Sequence, residues 1–287
     1  MKSFLILLLA GVVLSCAPAT AQKPEFKEHI SKQFDLKKPA NQTVLGVYNI
    51  DGNIKVESYS GSKVMIEIDK TISGKTQEIV EEGKAEFQME YAETGDSILV
   101  YIKEPYYSRP HSGSRNREWQ RRIEYRVNLN FTIKVPADIN LHVSTVNNGE
   151  IDVKNVTGAI NAKNINGGIA LLNAKGATDV HTINGDVTIN YLTSPPEKSS
   201  YYTLNGNIRV TYPASFSGDL QFKSFNGQFF TDFPTELLAP EVTKNTEHKG
   251  DRTVYKLDKN TSIRIGNGGR KFKFETFNGN IYIKKQS

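Results

Sequence analysis

The chain has 287 residues, 38% of them hydrophobic and 23% charged, so it can bury a core and is not a wholly disordered protein. Its net charge of +5 is only mildly basic, which argues against nucleic acid as a partner and permits contact with anionic envelope polymers. The frequent aromatic residues and the short runs of Thr, Ile, Val and Asn favour β-structure.

The first residues, MKSFLILLLAGVVLSCAPATAQ, are typical of a targeting segment. The apolar run is too short for a permanent membrane helix. We predict a signal peptide over residues 1–21, with cleavage after the sequence Ala-Thr-Ala at 19–21. The alternative is a lipobox ending at Cys16, which would then carry a lipid anchor. Both routes predict an extracytoplasmic protein that is periplasmic, associated with the outer membrane or secreted, and that touches membrane only through such an anchor.

A nine-residue repeat follows an N-terminal linker, which we predict over residues 22–43. Glycines recur at nine-residue intervals at Gly149, Gly158, Gly167, Gly176 and Gly185. An Asn precedes every second one, and a stretch with alternating hydrophobic residues comes next, as in TINGDVTI at 182–189. Asn-Gly marks a tight turn because both residues tolerate positive φ, and alternation with period two marks a half-buried strand. Each unit is therefore predicted to form one short strand and one bend.

The regular spacing predicts an all-β fold with a β-solenoid, a β-helix-like array in which successive coils stack and bury ladders of Ile and Val. A β-sandwich is the alternative, because Asn-Gly is also a common hairpin signal. We place this β-strand-repeat domain at residues 44–285. Asn side chains at the corners are expected to stack and to hydrogen-bond neighbouring coils.

An insertion near the start of the domain, residues 74–104, is predicted to contain a short helix at 75–84 and a hairpin around the sequence ETGDS. One long strand should then run through residues 123–135 and stop at Pro136. Much later, the polar stretch KNTEHKGDR at 244–252 is predicted to be an exposed loop.

The loop at residues 105–122, YYSRPHSGSRNREWQRR with the proline before it, departs from the repeat and is the candidate ligand-binding surface. Arginine and aromatic residues are enriched at binding hot spots, aromatic rings stack on sugars, and arginine pairs with phosphate or carboxylate. The alternative is an ordinary solvated loop. The candidate residues are Tyr106, Tyr107, Arg109, Arg115, Arg117, Trp119, Arg121 and Arg122.

Catalytic and metal-binding motifs are missing from the sequence. It contains no HExxH, Cys-x-x-Cys, GxSxG or Walker motif, so we predict no enzyme, no metal and no cofactor. Nonapeptide β-rolls that bind calcium repeat an Asp at one offset from the turn glycine. Here the third residue after that glycine varies, being Lys55, Asp152, Ala170, Thr188, Arg209 and Tyr282.

The run FTIKVPADINLHVSTVNNGEIDVKNVTG and the Asn-Gly units after it resemble the "putative-adhesin" β-strand-repeat family of bacterial envelope proteins, a domain of unknown function. The resemblance covers residues 44–285 and implies an all-β, solenoid-like fold located at or outside the membrane. It carries over no catalytic residue. It also implies a link to envelope-stress and sigma-factor signalling.

The sequence therefore predicts a non-catalytic, adhesin-like binding module of the cell envelope, whose partner is an envelope protein or a cell-surface glycan. The alternative is a regulatory or structural component of envelope-stress signalling that acts through a protein partner. A saccharide-binding surface should show clustered exposed aromatic residues, whereas an enzyme should show a cleft with convergent carboxylates.

Overall fold

The computed structural model describes residues 23–105, 107–110, 122–196, 199–239, 245–249, 252–256 and 261–287. The first part of the chain contains β1 (Glu25–Asp35), a 3-10 turn (Ala40–Gln42), β2 (Val44–Tyr48), β3 (Ile54–Tyr59), β4 (Lys63–Ser73), α1 (Gln77–Glu86), β5 (Gln88–Glu93), β6 (Ser97–Glu104) and β7 (Arg126–Pro136). The repeat region contains β8 (Asn140–Ser144), β9 (Ile151–Lys154), β10 (Ile160–Lys163), β11 (Ile169–Ala174), β12 (Thr178–Asn184), β13 (Val187–Tyr191), β14 (Ser200–Asn205) and β15 (Ile208–Tyr212). The last part contains β16 (Gly218–Asn226), β17 (Phe229–Thr231), β18 (Thr235–Leu238), β19 (Asn245–Lys249), β20 (Arg252–Lys256), β21 (Thr261–Ile265), β22 (Lys271–Asn278) and β23 (Ile281–Lys285).

Most strands belong to two large mixed sheets. Sheet A has the order β1-β4-β7-β3-β9-β11-β13-β15-β23-β17. Sheet B has the order β18-β21-β16-β22-β14-β12-β10-β8-β2-β6-β5. Strands β8 to β15 alternate between the two sheets along the chain. Each strand from β8 to β13 pairs in parallel with the strand two positions later, as Ile151 with Ile169 and Ile160 with Thr178 show, whereas β14 and β15 pair in parallel with β22 and β23.

The prediction of an all-β fold is confirmed. The two mixed sheets are open, an arrangement that also fits the β-sandwich alternative, and the narrower solenoid prediction stays a prediction. Strands β8 to β15 pair in parallel with one another and with β22 and β23, whereas the strands at both ends of the sheets add antiparallel pairs, such as β1 with β4 and β16 with β21.

Apolar side chains at equivalent repeat positions form ladders inside the molecule, as predicted. One ladder of sheet A consists of Ile54, Ile151, Ile169, Val187, Ile208 and Ile281, each at most 1% exposed. Each of these side chains contributes about 1.5–3 kcal/mol when it leaves water. We use the word coil for one strand of each sheet together with the corner that joins them. Residues from both sheets belong to one continuous hydrophobic core, so packing between neighbouring coils, rather than any single coil, stabilises the fold.

The helix and the hairpin predicted within residues 74–104 are present, with the helix slightly later in the chain than expected. The helix runs from Gln77 to Glu86, and the side chain of Thr76 caps its first turn by accepting a hydrogen bond from the Ile79 amide at 3.4 Å. Gly83 lies within the helix because it packs against Ile72 and Tyr125, where a Cβ atom would lie 2.8 Å from either side chain. Strands β5 and β6 form the predicted hairpin.

Two predicted segments differ from the structure. The linker predicted at 22–43 contains β1, an edge strand that pairs with β4 along eleven residues. Its sequence, EFKEHISKQFD, is rich in charged residues. Because most positions of this edge strand are exposed, the sequence lacks the alternation of hydrophobic and polar residues that indicates a strand. The polar stretch at 244–252, predicted as a loop, contains β19 and the start of β20, which pair as an antiparallel hairpin. Within the described part of the chain, no helix is long and apolar enough to cross a membrane.

Candidate ligand-binding surfaces

The recurring corner sequence, Thr182-Ile183-Asn184-Gly185 in one coil, gives each position a separate role. Thr182 is fully buried, and its Oγ1 donates to the carbonyl oxygen of Gly167 at 2.8 Å. Thr145, Asn164, Thr203, Thr276 and Ser224 make the equivalent bond to the previous coil, at 2.8–3.4 Å. Except for the exposed Ser224, these side chains are buried, and the hydrogen bond satisfies both the buried polar group and the carbonyl oxygen of the neighbouring coil.

The corner glycine is required mainly by close approach of the neighbouring coil. A Cβ atom on Gly185 would lie 2.2 Å from the carbonyl oxygen of Gly167, a distance that backbone cannot accommodate. Tolerance of positive φ, on which the tight-turn prediction is based, does not explain the glycine in most units. Among the corner glycines that follow Asn or Asp, only Gly52 and Gly279 have positive φ, at 111° and 155°.

The Asn side chains at the corners form a continuous ladder, as predicted, which we call the amide row. Its members, in spatial order, are Asn147, Asn166, Asn184, Asn205, Asn278 and Asn226. From Asn166 onward, each Nδ2 group donates to Oδ1 of the preceding member over 2.8–2.9 Å. Five of the six side chains are exposed, so one N–H and one oxygen lone pair of each can still face solvent.

A second row lies immediately beside the amide row, on the outer face of sheet B. We call it the apolar row, and its members are Ile165, Ile183, Leu204, Phe277 and Phe225. Each precedes an amide-row Asn, so the register that pairs the Asn residues also aligns these side chains. They are exposed or half-buried, with Phe225 75%, Phe277 44% and Ile165 38% exposed. Exposed contiguous apolar surface of this kind marks interaction sites.

Stacked aromatic pairs lie on both sides of the last corners. Phe225 and Phe277 stack on sheet B with ring centroids 4.8 Å apart and planes 4° from parallel. Phe230 and Tyr282 stack on sheet A at 5.0 Å, and the Arg209 guanidinium lies 5.4 Å from the Tyr282 ring. Exposed aromatic residues therefore cluster at one end of the array.

One more stacked pair borders the apolar row. His181 and Tyr202, on neighbouring strands β12 and β14, have ring centroids 4.2 Å apart. Burial lowers the pKa of His181, and the positive charge of Lys163 lowers it further. The imidazole is therefore held towards its neutral form and offers a flat, uncharged ring next to the rows.

The first part of the predicted Arg/aromatic loop is fixed against sheet B. The Ser108 hydroxyl donates to the Tyr48 carbonyl oxygen at 2.6 Å and accepts from the Ile102 amide at 2.8 Å. The Tyr107 ring lies 5.2 Å from that of Tyr101. Burial raises the pKa of Tyr101, and the positive charge of Arg109 opposes that rise. The structure thus places Tyr107 against Tyr101, on sheet B.

The remaining predicted site residues are described only in part. Arg122 is exposed and lies just before β7. Tyr106, Arg115, Arg117, Trp119 and Arg121 lie outside the described residues, as do the predicted signal peptide and Cys16. Whether the whole loop forms one surface therefore stays a prediction.

A cavity of about 310 Å³ lies where this loop leaves and rejoins the sheets. Its lining residues are Ile50, Asp51, Phe87, Ile102, Tyr125, Arg126, Val127 and Asn147. The carboxylate of Asp51 accepts from Arg126 Nε and Nη2 at 2.7 and 2.6 Å, and from Asn128 at 2.6 Å. Asp51 thereby neutralises the charge of Arg126. The cavity therefore does not offer an unpaired positive charge that would bind an anion.

Groups that could ligate a metal are scattered. In the described part of the chain, no three His, Cys, Asp or Glu side chains come together to hold an ion. His142 and His181 both lie on sheet B, but they occupy different registers, since His142 is level with Asn161 and His181 with Lys163.

Sequence reasoning missed the apolar row. Its signal was present in the alternation of the strands. In VHTING at 180–185, Val180 and Thr182 point inward, so Ile183 is a hydrophobic residue at an outward position. A hydrophobic residue recurs at this outward position before each amide-row Asn. Packing of the core does not explain it, because the side chain faces away from the core.

No family model matches the chain, and no curated protein does. Two solved structures resemble it. A "putative cell adhesion protein" from Clostridium sporogenes is 13% identical over 91% of this chain and 100% of that chain, with a TM-score of 0.43. A "putative adhesin" from Bacteroides fragilis is 12% identical over 90% of this chain and 97% of that chain, with a TM-score of 0.28. The family resemblance therefore stays a prediction, and function has to be inferred from this chain's own side chains.

Proposed function

We propose that this protein is a non-catalytic, extracytoplasmic, adhesin-like binding module that lies along a linear cell-surface glycan. The observation that carries the proposal is the side-by-side run of the amide row and the apolar row on sheet B. The predicted targeting segment at residues 1–21 supports the location.

The two rows offer complementary chemistry to a sugar chain. A pyranose ring has apolar C–H faces and polar hydroxyl edges. The exposed rings of Phe277 and Phe225 and the aliphatic side chains of Ile165 and Leu204 can contact the C–H faces. The amide row supplies a donor and an acceptor from each Asn, which matches hydroxyl groups that both donate and accept.

The amides are already held in place before a ligand arrives. Asn184, for example, donates to Asn166 and accepts from Asn205, both at 2.8 Å. Side chains fixed in this way lose little further rotamer freedom on binding, so their hydrogen bonds contribute more to affinity.

The rows favour a polymer over a compact ligand. Neighbouring strands lie about 4.8 Å apart, so the five members of the apolar row span about 19 Å. Equivalent contacts repeat at each strand, and a chain of similar sugar units can use several at once.

Two narrower statements belong to the same proposal. We infer that the parallel strands wind as a solenoid, since each strand from β8 to β13 pairs with the one two positions later. We also infer that the protein is not an enzyme, because the two rows consist of Asn, Ile, Leu and Phe, none of which acts as a general acid or base.

The test is binding of the mature chain to an array of bacterial surface glycans and to purified peptidoglycan. A variant with Ile165, Leu204 and Phe277 each changed to Ser should lose most of the retention. The matched control changes Leu172 and Leu192 to Ser, since these are 43% and 44% exposed away from the rows. The control should bind like the wild type.

A second variant, Arg109→Ser with Arg122→Ser, compares the rows with the predicted loop. Loss of glycan binding in this variant alone would move the site to the loop. Binding to no glycan would overturn the proposal. Retention of an envelope protein instead would favour the regulatory alternative.

A further inference from the structure

Asn-Gly, the dipeptide of the corners, is also a chemically labile sequence, at which the Asn side chain readily loses its amide group. Glycine has no Cβ atom, so its nitrogen can come close to Cγ of the preceding Asn. The chain contains seven such pairs. Their Asn residues are Asn148, Asn166, Asn184, Asn205, Asn226, Asn267 and Asn278. All but Asn148 and Asn267 belong to the amide row.

The reaction at an Asn-Gly pair, deamidation, consumes only water. The glycine nitrogen loses its proton and forms a bond with Cγ of Asn. The bond from Cγ to Nδ2 then breaks, and ammonia leaves. Water opens the resulting five-membered imide at one of its two carbonyl groups, which gives Asp or isoaspartate. The Asn side chain must therefore be free to bring Cγ to the nitrogen of the next residue.

Hydrogen bonds between coils restrain the Asn-Gly pairs of the amide row. The Nδ2 group of each of these Asn residues, which is the leaving group, donates to a neighbouring coil over 2.8–2.9 Å. The attacking nitrogens of Gly185 and Gly206 donate to carbonyl oxygens of the next coil at 3.0 and 2.9 Å. Deamidation in the row thus requires bonds between neighbouring coils to break.

Asn148 lies outside the row and is also restrained. Its Nδ2 group donates to Oδ2 of Asp51 at 3.3 Å. The following Gly149 is buried against the neighbouring coil, where a Cβ atom would lie 1.9 Å from the carbonyl oxygen of Gly52. The nitrogen of Gly149 therefore has little room to move towards the Asn148 side chain.

Asn267 differs from the other six. It is exposed, in the turn Gly266-Asn267-Gly268-Gly269 between β21 and β22. Within the described part of the chain, its side chain has no hydrogen-bond partner. The attacking nitrogen of Gly268 donates only to the Ile265 carbonyl oxygen, at 3.2 Å, a bond within the same turn. Movement of this glycine-rich turn alone can therefore bring the reacting atoms together.

We propose that Asn267-Gly268 is a site of spontaneous deamidation in the folded protein, and that the amide row protects its own Asn-Gly pairs from the same reaction. Local opening costs little free energy in an exposed turn, whereas separation of packed coils costs an amount closer to that of global unfolding. The rate of deamidation follows the population of the open form. The fold therefore selects one of seven pairs with the same chemistry.

The product changes the charge next to an ion pair. Arg264 donates to the Asp219 carboxylate through Nε at 2.8 Å and Nη2 at 3.0 Å, and the two residues are paired across β16 and β21. A Cβ atom on Gly268 would lie 2.3 Å from Nε of Arg264, so the turn lies directly against this pair. Deamidation of Asn267 adds a carboxylate there and leaves the amide row unchanged.

The test is peptide mapping by mass spectrometry after incubation of the mature, unliganded chain in mildly alkaline buffer. Asp and isoaspartate at position 267 should accumulate at least about ten times faster than at any of the other six positions. The control is the same incubation in urea, in which all seven pairs should react at similar rates. Unequal rates in urea would trace the difference to local sequence and overturn the proposal.

A variant of the row tests protection by the side-chain bonds. In Asn184→Ala, Nδ2 of Asn205 loses its acceptor, so Asn205 should deamidate faster than in the wild type. Asn161→Ala removes a side-chain bond to Asp179, away from the row, and should leave the rate at Asn205 unchanged.

Three further results would overturn the proposal. They are a row Asn that reacts as fast as Asn267 in the folded chain, an Asn267 that reacts only in urea, and an unchanged rate at Asn205 in Asn184→Ala. Because no glycan is present, these outcomes do not depend on the proposed function.

Discussion

Asn184 donates a side-chain hydrogen bond to Oδ1 of Asn166 over 2.8 Å, although eighteen positions separate the two residues. The bond joins equivalent points of successive coils. This hydrogen bond shows that equivalent residues of neighbouring strands are in register. It also holds in place the amide groups that we propose contact the ligand. Under the proposed function, stability and binding would both depend on this one row.

Asn184→Ala should lower the free energy of unfolding by about 1 kcal/mol, since it removes one hydrogen bond to each neighbour while leaving their groups open to water. Urea denaturation monitored by circular dichroism measures the change. Thr188→Ala, an exposed strand position in the next segment, is the control and should change stability by less than about 0.5 kcal/mol. Equal stability of both variants would show that the row contributes nothing to the fold.

Gly185→Ala should destabilise the protein by about 1–3 kcal/mol, because the new methyl group would meet the Gly167 carbonyl oxygen at 2.2 Å and force two coils apart. Gly95→Ala is the matched control, since nothing lies within 4 Å of its Cβ position. Thermal unfolding of the two variants compares them directly. If Gly185→Ala were as stable as Gly95→Ala, close coil packing would not be the reason for the glycine period.

The buried tyrosines should make the fold sensitive to alkali. Burial raises the pKa values of Tyr191, Tyr201 and Tyr212, and their hydroxyl groups are linked at 2.8 and 3.2 Å. In the unfolded chain these phenols release protons near pH 10. The folded state then holds more protons, so its stability is fully present below about pH 10 and falls as the pH rises towards the raised values.

Tyrosinate absorbance during an alkaline titration checks this prediction. Three of the 13 tyrosines should ionise only when the circular dichroism signal of the fold is lost. Tyr212→Phe keeps the ring that stacks on Phe216 at 3.9 Å and should make the loss of stability with pH less steep. Titration of all tyrosines near pH 10 in a folded protein would contradict the assignment.

Local pattern was sufficient to predict the elements of the repeat region. Ile151, Ile169 and Val187 recur at one position of the unit, and the structure stacks them in one buried ladder. Hydrophobic residues recur at every second position within a strand, because side chains alternate between its two faces. Equivalent residues recur every eighteen positions, because successive coils of this region have that length. Both periods are visible in a single sequence. The hairpin around ETGDS was predictable for the same reason.

Pattern was insufficient where a residue's role depends on a distant partner. Strand β1 is an edge strand whose exposed, charged residues face solvent, so its pairing with β4 leaves little periodicity to detect. Gly185 was explained through its own turn, whereas the structure traces it to the carbonyl group of Gly167 in the previous coil. The apolar row likewise becomes a surface only when Ile183 and Leu204, from separate coils, are placed side by side.

The most direct test of the proposed function is the dissociation constant of the protein for size-fractionated fragments of the envelope glycan that it retains, measured by isothermal titration calorimetry. We predict that affinity rises with fragment length until the fragment spans the five strands of the apolar row, about 19 Å, and then levels off. Leu204→Ser, in the middle of the row, should remove most of this dependence on length. An affinity already maximal for the shortest fragment, and unchanged in Leu204→Ser, would place the ligand in a single compact pocket and contradict binding along the rows.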